Sequence, residues 1–388
     1  GEGTKLQIST YNKEGTAWES PYEGSATGVF SMTGGEVNND GVIDLGVKEW
    51  TIANATVNND GLIQVDSGMG EASPVITVGQ GGVLNTGIEQ AALTVKNITV
   101  DQGGVFNIAR LNSQVNAEDD DDTKDRLLIS FGNNWTLNGG DLQVAGQTYT
   151  DRIKIGSANN TDPGKGVGAL TVQSGSYTFN TVEFGSAEGN TLTVEGGTLT
   201  IANLDATYGA TTISGGTLAV TKLTTAATGK VELAGGTLQT ASTQAFTLGD
   251  KTLFGETAED VTYGAEQSAD AKTTLSTTFT ATSGVLALTD KGVYTEGSLA
   301  AMSGALAGGS VSLHILNADL ALTGDQTTVG LYDNVVLDKV GATETVDSVT
   351  NGTASITAAN NGAQSLQVLA SDEKTDVTTV ALTASVAT

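Results

Sequence analysis

The residue types that most often carry out chemistry in proteins are scarce in this chain. Its 388 residues include a single histidine, His314, and no cysteine. Zinc sites and nucleophile–histidine triads need several such side chains in one place, so the sequence argues against both. His314 lies in the apolar run 310–316, where the alternation of apolar residues predicts a structural or solvent-facing position on a strand.

Carboxylates are the remaining catalytic candidates, because glycoside hydrolysis needs only two of them at the right separation. The best local pattern is Arg152 and Lys154, which lie two residues apart and so share one face of a strand, with Asp151 beside them. Spacing alone is weak support for a catalytic site. We therefore predict no catalytic residues and no cofactor.

A second acidic pattern is a run of four aspartates that could supply oxygen ligands to calcium, namely Asp119, Asp120, Asp121 and Asp122. Four adjacent side chains cannot all point the same way, and the chain lacks the Gly-Gly-x-Gly-x-Asp nonapeptide of calcium-binding β-rolls. The run is more typical of a solvated acidic loop, and its sequence leaves calcium binding undecided.

A glycine-containing phrase recurs along the chain and determines where all these residues lie. Alternating apolar residues precede and follow a Gly-Gly turn. In three copies the second glycine of the pair is Gly197, Gly216 or Gly236, and these are 19 and 20 residues apart. Two Asn-Asn-Asp-Gly turns, at 38–41 and 58–61, keep the same step of 20. We expect the Asn-Gly, Asp-Gly and Gly-Gly pairs to supply the positive φ of the corners.

A fixed step of this size, combined with period-two alternation, predicts strands that stack coil on coil. The predicted fold is therefore all-β, a right-handed parallel β-helix, because parallel crossovers are almost always right-handed. We assign 1–30 to an N-terminal cap, 31–289 to the repeats, and 290–388 to the C-terminal end of the β-helix, as a cap or stalk. The 3 tryptophans are expected to pack in the core or a cap.

The regular step widens twice. Gly104, Gly140 and Gly175 are 36 and 35 residues apart, and the excess lies in two polar segments, 110–126 and 147–168. Insertions in repeat proteins form loops on one face, which is often the binding face. These loops are the best local candidates for ligand contacts, although a surface loop without a role is the simpler interpretation of each.

Charge and composition disfavour some partners. A formal net charge of −27 disfavours nucleic acid and anionic membranes, which carry the same sign. Nothing in the sequence is typical of a signal peptide or a membrane-spanning segment, so we expect no membrane insertion of this segment and take it to be part of a longer precursor. The lack of cysteine suits a chain exported unfolded, because a disulfide could block its passage.

The phrase Leu-Thr-Val-Glu-Gly-Gly-Thr-Leu-Thr-Ile at 192–201 resembles the passenger repeats of Gram-negative type V autotransporters, and the likeness extends over roughly 30–245. The resemblance implies an extracellular location at the bacterial cell surface, after export through an outer-membrane β-barrel that belongs to the full precursor. Passengers of the AIDA type are acidic, cysteine-free, β-helical and adhesive or self-associating. The protease branch carries a Gly-Asp-Ser-Gly motif, which this sequence lacks.

The predicted function is that of a non-enzymatic cell-surface adhesin. A polar face rich in Thr, Asn and Asp, together with the two loops, would bind one of two kinds of partner through many weak contacts. One is another copy of the chain on a neighbouring cell, giving clumping or biofilm, and the other is a host surface glycan or matrix protein. The alternative is an enzyme, a β-helical polysaccharide lyase or hydrolase or a phage tailspike-like protein. A second alternative is an inert structural stalk.

Overall fold

A computed structural model describes the chain in segments, and the regular structure in them is β-strand, so the all-β prediction is confirmed for these segments. The described residues are 5–9, 28–66, 74–87, 93–109, 127–129, 133–157, 166–225, 228–240, 246–248, 251–254, 262–263, 279–294, 310–320, 328–331, 335–337, 344–350, 353–358 and 378–384. Among them, no helix has the length and apolar character needed to cross a membrane. The chain divides into two compact units, Gly1–Leu199 and Thr200–Thr388.

The first unit contains short strands of similar length. They are β1 (Lys5–Ser9), β2 (Val29–Met32), β3 (Gly35–Asn39), β4 (Val42–Gly46), β5 (Glu49–Ile52), β6 (Ala55–Asn59), β7 (Leu62–Asp66), β8 (Val75–Val78), β9 (Val83–Thr86), β10 (Leu93–Thr94), β11 (Asn97–Asp101), β12 (Val105–Ile108), β13 (Leu127–Ile129), β14 (Asn133–Asn138), β15 (Asp141–Val144), β16 (Gln147–Thr148), β17 (Arg152–Ile155), β18 (Gly168–Ser174), β19 (Ser176–Phe184) and β20 (Thr191–Val194). A further strand, β21 (Thr198–Ala206), begins at the end of this unit.

From β1 to β12, strands that follow one another along the chain lie in different sheets. Sheet A joins β1, β4, β7 and β10 in parallel. Sheet B joins β2, β5, β8, β11, β14, β18 and β20 in parallel, with β13, β17 and β19 also paired in parallel. Sheet C joins β3, β6, β9, β12 and β15 in parallel. Each strand thus pairs with its equivalent one repeat later, which is compatible with a β-solenoid.

Alternation along each strand buries one of its faces. An inward column on sheet B consists, in register, of Phe30, Trp50, Ile76, Ile98, Trp135, Leu170 and Leu192. Trp50 and Trp135 are buried, as expected for core tryptophans. Phe106 of sheet C meets Trp135 edge to face, with ring centroids 5.4 Å apart, so sheets B and C pack against the same core.

The glycine turns serve two purposes, of which the sequence predicted one. Gly81 has the expected positive φ of 67°. Gly82 has no such φ, but a Cβ there would overlap the carbonyl oxygen of Ile52 in the preceding repeat. At Gly61 the prediction of positive φ is wrong, since its φ lies outside the left-handed region. Glycine is required there because a Cβ would collide with the backbone of Gly41 one repeat earlier.

The second unit contains the remaining strands. They are β22 (Ala210–Ile213), β23 (Thr217–Thr225), β24 (Lys230–Thr240), β25 (Phe246–Leu248), β26 (Lys251–Phe254), β27 (Thr262–Tyr263), β28 (Phe279–Tyr294), β29 (Ser310–Leu320), β30 (Thr328–Leu331), β31 (Val335–Leu337), β32 (Glu344–Thr350), β33 (Thr353–Ala358) and β34 (Thr378–Ala384). Parallel pairing joins β22 and β23 to β24, then β24 to β28, β28 to β29 and β29 to β31.

Other pairings in the second unit are mixed. Strands β25 and β26, and β27 and β28, pair antiparallel, and β30, β34, β33 and β32 form a separate four-stranded sheet. Parallel pairing extends into the range 290–388, whose assignment as cap or stalk stays a prediction. Most of the predicted cap 1–30 lies outside the described residues.

Candidate functional site

A ladder of asparagine side chains runs along the outer face of sheet C. Its members, in register on successive strands, are Asn38, Asn58, Asn85 and Asn107. Each later amide nitrogen donates to the amide oxygen of the member before it, at 2.8, 2.7 and 2.9 Å. The bonded partners are 20, 27 and 22 residues apart in sequence, so the ladder ties consecutive repeats together and holds their register.

The ladder ends at a β-hairpin that interrupts sheet C. Strand β15 pairs antiparallel with β16, Val144 opposite Gln147, and the sheet ends at β16. The two turn residues, Ala145 and Gly146, have φ of 51° and 74°, the sign that a two-residue type I′ turn requires at both positions. The N–H of Gly146 donates to the side-chain oxygen of Asn107 at 3.0 Å, so the turn supplies the last hydrogen bond of the ladder.

A groove of about 440 Å³ lies beside this hairpin, within the size range of small-molecule pockets. It is bordered by the glycine turns 103–104 and 139–140, by hairpin residues 148–150 and by the start of β19 at 176–178. These borders lie in the part of the chain where the repeat step widens. Of the predicted loop 147–168, described at 147–157 and 166–168, the residues 148–150 line the groove.

Two tyrosines brace the groove. The Tyr177 hydroxyl accepts from the N–H of Gly139 at 2.9 Å and donates to the carbonyl of Gly140 at 2.9 Å. The Tyr149 hydroxyl donates to the carbonyl of Arg152 at 2.7 Å. Burial raises the pKa of Tyr149 to about 12 and also raises the pKa of Tyr177. Both phenols are therefore protonated at neutral pH and act as fixed hydrogen-bonding groups rather than bases.

The remaining polar groups of the groove are hydroxyls and one carboxylate. Exposed hydroxyls come from Thr148, Thr150, Ser176 and Thr178. Asp141, half-buried, accepts from the Gln143 amide at 2.5 Å and from the Thr148 hydroxyl at 3.4 Å. Asp141 is the only carboxylate among the lining residues, whereas glycoside hydrolysis uses two. The groove is equipped for hydrogen bonding to a polar ligand.

The cationic pattern singled out from the sequence forms a structural ion pair. The Nη2 of Arg152 donates to both carboxylate oxygens of Glu183, at 2.7 and 2.6 Å. The two side chains are only 11% and 17% exposed. Lys154 is the register partner of Glu183 on the same pair of strands, β17 and β19. This geometry joins neighbouring repeats and offers no acid–base pair.

The other sequence candidates give no site among the described residues. His314 is half-buried on β29, with Ala287 and Val336 as register partners. The loop 110–126, with its four aspartates at 119–122, lies outside the described residues. Within the part of the chain that is described, no group of three or more His, Cys, Asp or Glu side chains could hold a metal ion.

The predicted polar face corresponds to a hydroxyl column on the outside of sheet B. In register it consists of Ser31, Thr51, Thr77, Thr99, Thr136, Thr171 and Thr193. Neighbouring members lie on adjacent strands, which are about 4.8 Å apart. The hydroxyls of Thr51 and Thr77 donate to Glu49, at 3.2 and 3.3 Å. The column is thus a row of one exposed serine and six half-buried threonines that a second surface could contact.

Sequence reasoning did not single out the ladder or the groove. The ladder had a signal, because asparagine lies three residues after the turn in four repeats, at 38, 58, 85 and 107, although the turn before Asn58 is Asn54-Ala55 instead of Gly-Gly. The hairpin had only a weak one, because Gly146 permits a turn between Gln143-Val144 and Gln147-Thr148, but Ala-Gly is not a pair typical of two-residue hairpin turns. The groove had no local sequence signal, because the residues that border it come from three different repeats.

Comparison of the chain with protein-family models, curated proteins and solved structures found no match. The likeness of its repeats to autotransporter passengers therefore stays an expectation drawn from the repeat phrase.

Proposed function

We propose that the repeats form a right-handed parallel β-helix and that the chain is the extracellular, non-enzymatic adhesive passenger of a type V autotransporter. Parallel pairing of each strand with its equivalent one repeat later supports the β-helix, as does the asparagine ladder. The right hand follows from the general preference of parallel crossovers. The repeat phrase at 192–201 supports the family and, with it, the location at the bacterial cell surface.

The observation that carries the adhesive function is the interruption of sheet C. An uninterrupted parallel sheet has few concave sites on its outer surface, because its strands stack at a constant spacing. Here the β15–β16 hairpin ends the sheet, and a groove lined by hydroxyls adjoins it. Exposed polar groups in a concave site on a rigid scaffold are typical of ligand recognition.

The hydroxyl column on sheet B supports a second mode of adhesion. Its threonines repeat at the strand spacing, so a second surface with a similar spacing would make the same weak contact many times. Repeated weak contacts add up through avidity. The partners proposed are therefore other copies of the chain on neighbouring cells, or a host surface glycan or matrix protein.

The groove favours retention of a ligand over turnover. Asp141 is the only carboxylate of its lining, and the Tyr149 and Tyr177 hydroxyls are held protonated by burial, so neither supplies a base. A glycosidase would need a second carboxylate at a defined distance. A binding protein needs only the hydrogen-bonding groups that are present.

Cells that display the chain provide the test. Ser176→Trp fills the groove, and Thr136→Lys places a charged side chain in the hydroxyl column. We expect Ser176→Trp to reduce adherence to a glycan-coated or matrix-coated surface, and Thr136→Lys to reduce clumping. Thr224→Lys, at an exposed threonine of β23 in the second unit, is the matched control and should change neither. Unchanged clumping and unchanged adherence in both groove and column variants would contradict the proposal.

A further inference from the structure

We propose that the groove beside the β15–β16 hairpin binds a short uncharged oligosaccharide. This inference rests on the proposed adhesive function, which it deepens by naming the ligand chemistry and the residues. The hydrogen-bonding residues are Asp141, Thr148, Thr150, Ser176 and Thr178, and Tyr177 contributes a fixed aromatic ring.

The polar groups of the groove match the groups of a sugar. A sugar presents several hydroxyls, each of which donates one hydrogen bond and accepts others. The exposed hydroxyls of Thr150, Ser176 and Thr178 offer donors and acceptors in the same mixture. The Asp141 carboxylate is acceptor-only and binds donors more strongly than a neutral group does. Because Gln143 and Thr148 already hold this carboxylate, its position is set before a ligand arrives.

The charge of the groove selects against acidic ligands. Its lining includes Asp141 and no Lys or Arg, so a phosphate, sulfate or uronic acid would meet a like charge without a cationic partner. The chain as a whole carries a formal net charge of −27, which adds repulsion at longer range. A neutral ligand escapes this penalty.

The groove is also preorganised. The Tyr177 hydroxyl is bonded on both sides to the Gly139–Gly140 turn, and this fixes the ring as well as the turn. Aromatic rings pack on the apolar faces of sugar rings with little loss of side-chain entropy. The hairpin wall is held by the bond between Gly146 and Asn107. A site whose walls are fixed in advance loses less free energy on binding.

The test uses the purified full chain and titration calorimetry. The probes are neutral gluco-, galacto- and manno-tetrasaccharides, a uronic acid tetrasaccharide, and calcium chloride alone. We expect at least one neutral tetrasaccharide to bind and the uronic acid tetrasaccharide to bind at least about tenfold more weakly. Asp141→Asn should weaken neutral sugar binding by about tenfold, because a hydrogen bond to a charged acceptor is lost.

A second variant keeps the test decisive if Asp141→Asn disturbs the hairpin. Ser176→Trp changes an exposed residue and fills the groove, so it should abolish sugar binding while the thermal unfolding curve stays that of the parent chain. Thr224→Trp, at an exposed threonine of the second unit, is its control and should bind as the parent does. The proposal is overturned if no neutral tetrasaccharide binds, if Ser176→Trp binds as well as the parent, or if calcium alone binds through Asp141.

The experiments distinguish a failure of the sugar-binding proposal from a failure of the adhesive function. Sugar binding that Ser176→Trp abolishes, on cells that neither clump nor adhere, supports the groove and contradicts adhesion. Clumping or adherence of displaying cells without sugar binding to the purified chain overturns the groove and leaves adhesion supported by the hydroxyl column.

Discussion

The side-chain oxygen of Asn107 accepts a hydrogen bond from the backbone N–H of Gly146 at 3.0 Å. Asn107 is the last member of the asparagine ladder, and Gly146 is the second turn residue of the hairpin that interrupts sheet C. This one hydrogen bond therefore joins the regular asparagine ladder to the hairpin at which the parallel pairing of sheet C ends. The register partner of Asn107 on β15 is Gln143, so the series of asparagines stops at the strand that forms the hairpin, and the groove lies beside it.

Replacing Asn107 by alanine removes the bond to Asn85 and the bond from Gly146 together. We expect the free energy of unfolding to fall by about 1–2 kcal/mol and the hairpin to become more sensitive to protease. Chemical denaturation and limited proteolysis measure the two effects. Asn180→Ala is the matched control, because Asn180 is an exposed asparagine outside the ladder, and it should change stability by less than about 0.5 kcal/mol. Equal losses of unfolding free energy in the two variants would contradict a stabilising role for the two hydrogen bonds of Asn107.

Ala145 has a left-handed backbone conformation, with φ of 51°, at the first turn position of the hairpin. This conformation costs a non-glycine residue about 1–2 kcal/mol, so Ala145→Gly should raise the free energy of unfolding by about 0.5–1 kcal/mol after the entropy of the unfolded glycine is subtracted. The same substitution at Ala169, which has ordinary backbone φ on β18, should lower it by about 0.5–1 kcal/mol. Denaturation of the two variants should therefore give changes of opposite sign, and a common sign would refute the strain at Ala145.

The regular part of the fold was predictable because the repeated sequence phrase contains both the turn and the strands beside it. Gly81-Gly82 and the strands beside it follow from a turn signal and from period-two alternation, both of which are local. The role of Gly61 was not predictable in this way. Its neighbour Gly41 is distant in sequence, and only the stacked backbone reveals that a Cβ would clash there.

The candidate site was predictable only in location. The widened steps pointed to 147–168, and part of that segment does border the groove. The ion pair of Arg152 with Glu183 joins residues 31 apart, across a step that an insertion had altered, so the alternation of either strand could not reveal the pairing. The groove itself depends on how three repeats separate around a hairpin, and this geometry has no local sequence pattern.

The ion pair of Arg152 and Glu183 gives a prediction about coupling. Both side chains are largely buried, so removing one leaves the other charge poorly solvated. Arg152→Met alone and Glu183→Gln alone should each lower the free energy of unfolding by about 2–3 kcal/mol, and the double variant by less than the sum, with a coupling of about 1–2 kcal/mol. A double-mutant cycle in denaturant measures this. Additive losses would show that the two side chains do not stabilise each other.

Tyr149 gives a prediction for alkaline pH. Burial raises the pKa of its hydroxyl from the ordinary 10.0 to about 12, so between these values the unfolded chain releases a proton that the folded chain keeps. The stabilising effect is thus fully present below pH 10 and is lost as the pH rises through about 12. Two pKa units correspond to about 2–3 kcal/mol.

The measurement compares the parent chain with Tyr149→Phe at about pH 9 and about pH 11.5, where the linkage effect of a raised tyrosine pKa is small and large respectively. At the lower pH the variant should be less stable by about 1 kcal/mol, because it loses the hydrogen bond to the carbonyl of Arg152. At the higher pH the parent should have lost more stability than the variant, so that the difference between them shrinks or reverses. Parallel losses in the two chains would show that the Tyr149 hydroxyl titrates alike in the folded and unfolded states.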